Sequence, residues 1–229
     1  TPYGKWLPSR PDTLQQHNLD IHKKKTKDVA WVATNCFTSN QRRAYATELA
    51  KYIKVDVFGE CGSGRISDAA RDKMLQEDYL FYLAFENSNC RDYVTEKLFA
   101  NAFNNSVLPI VMGAFRSFYE RIAPPGSFIH VDDFESPQLL AKYLKYLSRT
   151  PEAYNAYFAW RGSGRFIDNR FSCRVCALLQ SGRSKVYQDV EKWWHGGQKS
   201  VGGGDCTTSF IALQVKEHRN QKRGTDASP

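Results

Sequence analysis

The chain has 229 residues, of which 41% are hydrophobic and 24% charged, values that exclude a disordered or fibrous chain. No run approaches the roughly 20 consecutive apolar residues of a membrane-spanning helix, and the first residues lack the apolar segment of a signal peptide, so we expect any membrane anchor outside this chain. The formal net charge of +8 favours anionic partners without choosing among nucleic acid, phospholipid and a phosphorylated small molecule.

The two ends of the chain differ in composition from its middle. Residues 1–27 contain scattered prolines and end in the basic run HKKKTK, which predicts an extended linker. Glycine and polar residues dominate from residue 196 onward, so we predict a flexible tail over residues 196–229. The folded domain is predicted over residues 28–195.

Apolar runs alternate with amphipathic segments through most of the chain, a pattern typical of an α/β fold. Such a Rossmann-like fold has a mostly parallel sheet with helices on both faces. Ser136 and Pro137 mark one helix start as N-cap and first-turn residue. Strands are predicted at residues 28–36, 55–64, 77–87, 106–114 and 127–134, and helices at 41–53, 91–105 and 136–149. Extra C-terminal helices are predicted at residues 152–162, 173–180 and 184–194.

A dense polar cluster, FENSNCRDYVTEK at residues 85–97, follows the third predicted strand. Open parallel sheets bind ligands beyond the carboxyl ends of their strands, so this cluster is expected to face a ligand crevice. The next helix is predicted to start with Asp92 as its cap. Tyr93, Glu96 and Lys97 would then share one helix face, and the helix N-terminus with a lysine one turn in would suit a phosphate.

The six cysteines include one close pair, Cys173 and Cys176. Their CxxC spacing suits either a disulfide or half of a zinc site. Because no second CxxC and no HxxxH accompanies them, the disulfide is favoured, which implies an oxidising compartment. The residues give no basis for pairing the remaining cysteines, which are Cys36, Cys61, Cys90 and Cys206.

One N-glycosylation sequon occurs, Asn104-Asn105-Ser106. It falls where the predicted helix leads into the fourth predicted strand.

The string FYLAFENSNCRDYVTEKLFANAFNNSVLPIVMG resembles the signature of the α1,3-fucosyltransferase family, approximately FYLxFENSxxxDYxTEKxxxNAxxxxxVPVVxG. The resemblance continues through YERIAPPGSFIHVDDFESPQLLAKYLKYL, AYFAWR and the CxxC. Upstream, VAWVATNCFTSNQRRAYATELAKYIKVDVFGECG is similar to the family's strand, arginine-bearing helix and FG turn. The resemblance covers about residues 28–195 and does not reach the tail.

The resemblance implies the donor-binding half of a GT-B fold, which holds GDP-fucose in family members. It implies donor contacts from Tyr93, Glu96 and Lys97, and from Asn87 at the nucleotide. The family's diphosphate-binding arginine corresponds to Arg42, with Arg43 as the alternative because a one-residue slip in alignment would exchange them. The family's oxidised CxxC corresponds to Cys173 and Cys176.

The implied reaction moves fucose with inversion from GDP-fucose to an N-acetylglucosamine-containing glycan on a glycoprotein or glycolipid. No metal or other cofactor is expected, because the chain has no Asp-x-Asp motif and Arg42 and Lys97 would stabilise the diphosphate instead. Inversion also needs a base for the acceptor hydroxyl, which the family takes from its N-terminal domain. We therefore expect the catalytic residue outside this chain, and little or no transfer by the chain alone.

The resemblance also implies a Golgi lumen location, with a single-pass membrane anchor outside this chain. Two rival functions stay open. One is a non-catalytic module that binds nucleic acid or an anionic glycan, although the basic residues are dispersed and no nucleic acid partner is expected. The other is a transferase for another nucleotide sugar on the same fold.

Overall fold

A computed structural model describes residues 3–9, 20–168, 171–182, 184, 186–190 and 206–207. The strands are β1 (Gly4–Pro8), β2 (Lys27–Val32), β3 (Val55–Phe58), β4 (Tyr79–Phe85), β5 (Asn89–Cys90), β6 (Leu108–Met112), β7 (Ile129–His130), β8 (Gly164–Asp168) and β9 (Cys206–Thr207). The α-helices are α1 (Arg42–Leu49), α2 (Asp68–Glu77), α3 (Arg116–Ile122), α4 (Pro137–Arg149), α5 (Pro151–Ala156) and α6 (Phe171–Gln180). A π-helix spans Lys97–Phe103, and 3-10 turns span His22–Lys24 and Val131–Asp133.

The central sheet has five parallel strands in the order β3-β2-β4-β6-β7. Numbered along the chain, this is the doubly wound order 2-1-3-4-5, whose topological switch point lies between β2 and β4. Every residue of β4 is buried, because helices cover both faces of the sheet at its centre. The predicted Rossmann-like α/β fold is confirmed.

Two hydrophobic cores lie on opposite faces of the sheet. Helices α1, α4 and α5 cover one face, where Leu49, Leu144 and Tyr154 pack against it. Helix α2, the π-helix and α3 cover the other face, with Leu75 and Phe103 among the buried residues. The covering helices leave the carboxyl edge of the sheet as the place where strand-following loops converge.

Local sequence signals explain where two helices begin. Helix α4 begins as predicted, because the Ser136 hydroxyl accepts a hydrogen bond from the backbone N–H of Leu139 at 3.3 Å and Pro137 occupies the first turn. Helix α2 was not predicted. Its start carries the same kind of signal, a Ser67 hydroxyl that accepts from the N–H of Ala70 at 3.2 Å.

The predicted linker over residues 1–27 is wrong for two of its parts. Strand β1 pairs antiparallel with β8, and Trp6 is buried with its ring against those of Trp160 and Phe166. Near its end, Lys25 is also buried and donates a hydrogen bond to the carbonyl of Leu75 at 2.6 Å. Proline and charge suggested a linker, but the aromatic residues contribute enough apolar contact to fix the strand.

The C-terminal predictions are tested only in part. Helix α5 overlaps the first half of the predicted helix over residues 152–162, and α6 covers the predicted helix over 173–180 and begins two residues earlier. The helix predicted over residues 184–194 is wrong at its start, because residues 184 and 186–189 are not helical. The tail over residues 196–229 falls outside the described residues except for 206–207. Strand β9, within that tail, pairs antiparallel with β5.

The predicted disulfide between Cys173 and Cys176 is contradicted, since both are free, exposed thiols on α6. Side chains three positions apart on a helix have Cβ atoms about 5–6 Å apart, whereas a disulfide needs about 3.5–4.5 Å. A disulfide joins Cys36 to Cys61 instead, and Cys90 is also disulfide-bonded. An oxidising compartment is therefore still indicated, but by other cysteines.

Candidate functional site

Arg42 spans the topological switch point of the sheet. One guanidinium nitrogen donates to the carbonyl of Phe85, the last residue of β4, at 2.7 Å. A second nitrogen donates to the carbonyl of Asn35, in the loop after β2, at 2.8 Å. The residue is 3% exposed, and its Nε has no hydrogen-bond partner among the described residues. A cation is thus fixed where this type of sheet binds its ligands.

The start of α1 positions this cation. Gln41 precedes the helix in a left-handed conformation, with φ of 54°, and Arg42 is the first helical residue. The buried Asn40 side chain donates to the carbonyl of Glu86 at 2.9 Å and to the Asn89 carboxamide at 3.0 Å. These bonds tie the α1 entry to the residues that follow β4.

Burial lowers the pKa of Arg42, and the nearby Glu86 carboxylate opposes that shift. The guanidinium also lies over the ring of Trp31, with its central carbon 5.8 Å from the ring centroid. Its hydrogen-bonding partners in the described chain are carbonyl oxygens, which leave its positive charge without a directly bonded carboxylate.

Glu86 organises the segment after β4. It is 1% exposed, and its Oε1 accepts hydrogen bonds from the backbone N–H and hydroxyl of Thr95 at 2.8 and 2.9 Å. Its Oε2 lies 2.9 Å from Nζ of Lys97. Glu86 was not among the site residues predicted from the sequence. An ionisable residue directly after an entirely apolar strand could have indicated it.

Lys97 sits between two carboxylates. Besides Glu86, its Nζ contacts the hydroxyl of Thr95 at 2.8 Å and Oε1 of Glu96 at 3.2 Å. Burial disfavours the charged amine, but the pairing with Glu86 and Glu96 outweighs it and raises the pKa of Lys97. Lys97 is therefore a stable cation, with 18% of its side chain exposed.

The other predicted site residues line the same segment. Burial favours the neutral form of Glu96, but Lys97 and hydrogen bonds outweigh it and lower the pKa of this carboxyl. Its side chain is 46% exposed, unlike that of Glu86. The hydroxyl of Tyr93 donates to the carboxamide oxygen of Asn87 at 2.8 Å, and burial raises the pKa of that tyrosine.

The predicted helix over residues 91–105 is wrong at its start. The π-helix begins at Lys97, so Tyr93 does not share a helix face with Lys97, and Asp92 does not cap a helix. Asp92 has φ of 61° and forms an ion pair with Arg121 at 3.1 Å. The backbone N–H of Thr95 donates to Oε1 of Glu86 at 2.8 Å, so it is not available to a phosphate, and the helix N-terminus expected at Asp92 lies instead at Lys97.

Arg43, the alternative to Arg42, points elsewhere. It is exposed, and its guanidinium carbon lies 5.8 Å from the ring centroid of Phe37, a residue that is 88% exposed. The structure therefore groups Arg42 with the residues after β4 and leaves Arg43 on the outer surface.

Two further features shape this edge of the sheet. Gly113 follows β6 with φ of 152°, and a Cβ there would lie 2.7 Å from Cγ of Glu86, so a side chain would displace the carboxylate. The Cys36–Cys61 disulfide joins the loops that follow β2 and β3. In the described ranges, no cluster of three or more His, Cys, Asp or Glu side chains could hold a metal ion.

Comparison with known proteins finds one matching family model and several related sequences. The model of the family described as glycosyltransferase family 10 (fucosyltransferase) C-term matches residues 22–193. Glycoprotein 3-alpha-L-fucosyltransferase A of Drosophila melanogaster is 50% identical over 217 residues, covering 90% of this chain and 42% of that relative. Alpha-(1,3)-fucosyltransferase 4 of Mus musculus is 39% identical over 203 residues, covering 84% and 46%. The chain thus spans less than half the length of these curated relatives.

The fold is similar to solved structures as well. A crystal structure of an alpha1,3-fucosyltransferase with GDP-fucose superposes with a TM-score of 0.58 at 24% sequence identity, covering 75% of this chain and 51% of that chain. A second crystal structure, of alpha1,3-fucosyltransferase with GDP, gives a TM-score of 0.56 over 71% of this chain and 48% of that chain. At 24% sequence identity, this similarity is evidence for a shared fold.

Proposed function

Because the chain belongs to glycosyltransferase family 10, the fucosyltransferases, we propose that it is the donor-binding half of an α1,3-fucosyltransferase and binds GDP-fucose at the carboxyl edge of its sheet. The observation that carries this proposal is the buried Arg42 guanidinium at the switch point between β2 and β4. A fixed cation at this position suits a nucleotide diphosphate.

The site contains two cations, Arg42 and Lys97, and two carboxylates, Glu86 and Glu96, so it has no surplus positive charge before a ligand arrives. We therefore propose that Lys97 exchanges one of its two carboxylate partners for the diphosphate when the donor binds. The buried Glu86 keeps its contact with Nζ, whereas the half-exposed Glu96 gives way to the diphosphate. Asn87 and Tyr93, already hydrogen-bonded together, offer a polar edge to the nucleoside or sugar.

Loss of the leaving group places negative charge on the diphosphate, and fixed cations bind it more strongly in the transition state than before. In this proposal Arg42 and Lys97 meet that need with no metal. Inversion also requires a base for the acceptor hydroxyl. Since Glu86 and Glu96 both contact Lys97, we place the base outside this donor-binding half.

The proposed acceptor is an N-acetylglucosamine-containing glycan, which agrees with the glycoprotein named for the Drosophila melanogaster relative. The proposed location is the Golgi lumen, and the disulfides at Cys36–Cys61 and Cys90 support an oxidising compartment. In the described residues, no helix has the length and apolar character needed to cross a membrane.

Calorimetric titration of the purified chain tests donor binding. We expect binding of GDP and GDP-fucose in preference to UDP-galactose, and tighter binding of GDP-fucose than of GDP-mannose. Equal binding of UDP-sugars would favour a different nucleotide-sugar transferase. Salt-sensitive oligonucleotide binding without any response to GDP would favour the anionic-ligand module instead.

Arg42→Ala and Arg43→Ala form a matched pair one residue apart. Removal of a charged hydrogen-bonding group should weaken GDP binding by roughly 1.5–3 kcal/mol in Arg42→Ala and leave Arg43→Ala unchanged. The reverse result would transfer the diphosphate contact to Arg43. Because Arg42 also binds two backbone carbonyls, thermal unfolding of each variant must show that it is folded at the titration temperature.

A further inference from the structure

The sequon Asn104-Asn105-Ser106 lies between the π-helix and β6. It is the only N-x-Ser/Thr sequence in the chain, and its middle residue is not proline. In the structure Asn104 is exposed, and its side-chain carboxamide makes no hydrogen bond to any described residue. An acceptor asparagine must present this group to solvent.

The neighbouring residues hold the acceptor outward. Asn105 is buried, and its Nδ2 donates to the Asp72 carboxylate at 3.0 Å and to the carbonyl of Asn101 at 3.1 Å. Two successive side chains therefore have opposite environments, one fixed inside and one open to solvent. The loop fixes which asparagine of the pair is accessible.

The third sequon residue also fits its backbone. Ser106 has φ of 52°, in the left-handed region that β-branched residues strongly disfavour. A threonine would meet the sequon rule but strain this turn. Serine is the hydroxyl residue that satisfies both requirements.

The position keeps a glycan away from the donor site. Asn104 precedes β6, so it lies at the amino edge of the parallel sheet, whereas Arg42, Glu86 and Lys97 gather at the carboxyl edge. We propose that Asn104 carries an N-linked oligosaccharide. The proposal rests on the secretory location given above, which the disulfides support.

The modification is a group transfer from a lipid-linked oligosaccharide diphosphate, catalysed by the host's oligosaccharyltransferase. A bond forms between Nδ2 of Asn104 and the anomeric carbon of the oligosaccharide. The bond from that carbon to the diphosphate oxygen breaks, and the lipid diphosphate leaves with the bonding electron pair. Nδ2 loses one proton, so no oxidant or reductant is needed.

Two preparations test the proposal. The full chain, preceded by a secretory signal peptide, is translated with microsomes and is also secreted from eukaryotic cells. We expect a slower-migrating product in both, a hexose and N-acetylhexosamine mass series on the peptide that contains Asn104, and conversion of that residue to aspartate by peptide N-glycosidase. An unshifted product in microsomes that process a control glycoprotein would overturn the proposal.

Two variants assign the modification to the sequon. Asn104→Gln and Ser106→Ala should each abolish the shift, whereas Ser117→Ala, at an exposed serine on α3, should retain it. A shift that persists in Asn104→Gln would also overturn the proposal. Because glycan detection requires no nucleotide, this result is independent of donor binding. Enzymatic deglycosylation of the secreted protein should leave its GDP affinity unchanged.

Discussion

Nζ of Lys97 lies 2.9 Å from Oε2 of Glu86, a carboxylate that is almost completely removed from solvent. The two residues are eleven positions apart, so this pair closes the loop between the end of β4 and the π-helix. The same loop carries Asn87, Tyr93 and Glu96. One buried ion pair therefore fixes the backbone on which the other predicted donor contacts depend.

Loss of Lys97 should destabilise the fold as well as the site. Lys97→Met leaves Glu86 buried without its cation, and breaking a buried pair on one side costs about 3–5 kcal/mol. Urea denaturation measures the free energy of unfolding. Lys51→Met is the matched control, because Lys51 pairs with Glu48 at the surface, where such pairs contribute about 0–1 kcal/mol.

The combination Glu86→Gln with Lys97→Met gives a sharper result. Removal of both charges should restore part of the stability that Lys97→Met loses, because no uncompensated carboxylate remains buried. If the double variant instead loses as much free energy of unfolding as the two single variants together, the two side chains do not interact in solution. Glu86→Gln alone should also weaken GDP binding, since Lys97 then loses the partner that positions it.

The pH dependence of stability should report Lys25. Burial lowers the pKa of this lysine to about 7 from 10.5, against a smaller opposing effect of Asp78. Between these values the unfolded chain binds a proton that the folded chain largely lacks, so this residue makes the free energy of unfolding rise with pH. Lys25→Met should remove that rise, as measured by urea denaturation across this window.

The control Lys27→Met, which removes a surface pair with Asp78, should keep the rise. The prediction is contradicted if the free energy of unfolding depends on pH in the same way in the native chain and in Lys25→Met.

The disulfide between Cys36 and Cys61 should contribute measurable stability. It closes a loop with a sequence separation of 25, for which chain entropy predicts about 3.5 kcal/mol. Replacement of both cysteines by serine should lower the free energy of unfolding by about that amount. The matched control replaces Cys173 and Cys176 by serine, which should have little effect because both are free and exposed. Equal losses in the two variants would contradict the assigned pairing.

Much of the sheet could be predicted because its strands are short, continuous apolar runs. The run at β4 is buried along its whole length, which makes the signal strong. Helix α2 was missed because only Leu75 of its residues is buried, so it has almost no apolar periodicity. Strand β1 was missed because its partner, β8, lies more than 150 residues away in the chain.

The site could be predicted as a set of residues but not as an arrangement. Regular helical spacing would place Tyr93 and Lys97 on one face, and the resemblance implies donor contacts from this segment. The actual start of the helix depends on Glu86, which accepts the backbone N–H of Thr95 nine positions later. A contact of this kind has no periodic signature. The roles of Arg42, Asn87, Tyr93, Glu96 and Lys97 in GDP-fucose binding stay predictions.

Glu96 should act as a competitor for Lys97. Its carboxylate contacts Nζ at 3.2 Å from a half-exposed position, and an incoming diphosphate would replace it there. Glu96→Gln should therefore tighten GDP binding, by about 1 kcal/mol or less because partly exposed ion pairs are weak.

Titration with GDP and with GDP-fucose separates competition for Lys97 from a direct contact between Glu96 and the fucose. If Glu96 also accepts hydroxyl hydrogen bonds from the fucose, the variant should gain affinity for GDP and lose it for GDP-fucose. Weaker binding of GDP itself would show that Glu96 orients Lys97 rather than competing for it.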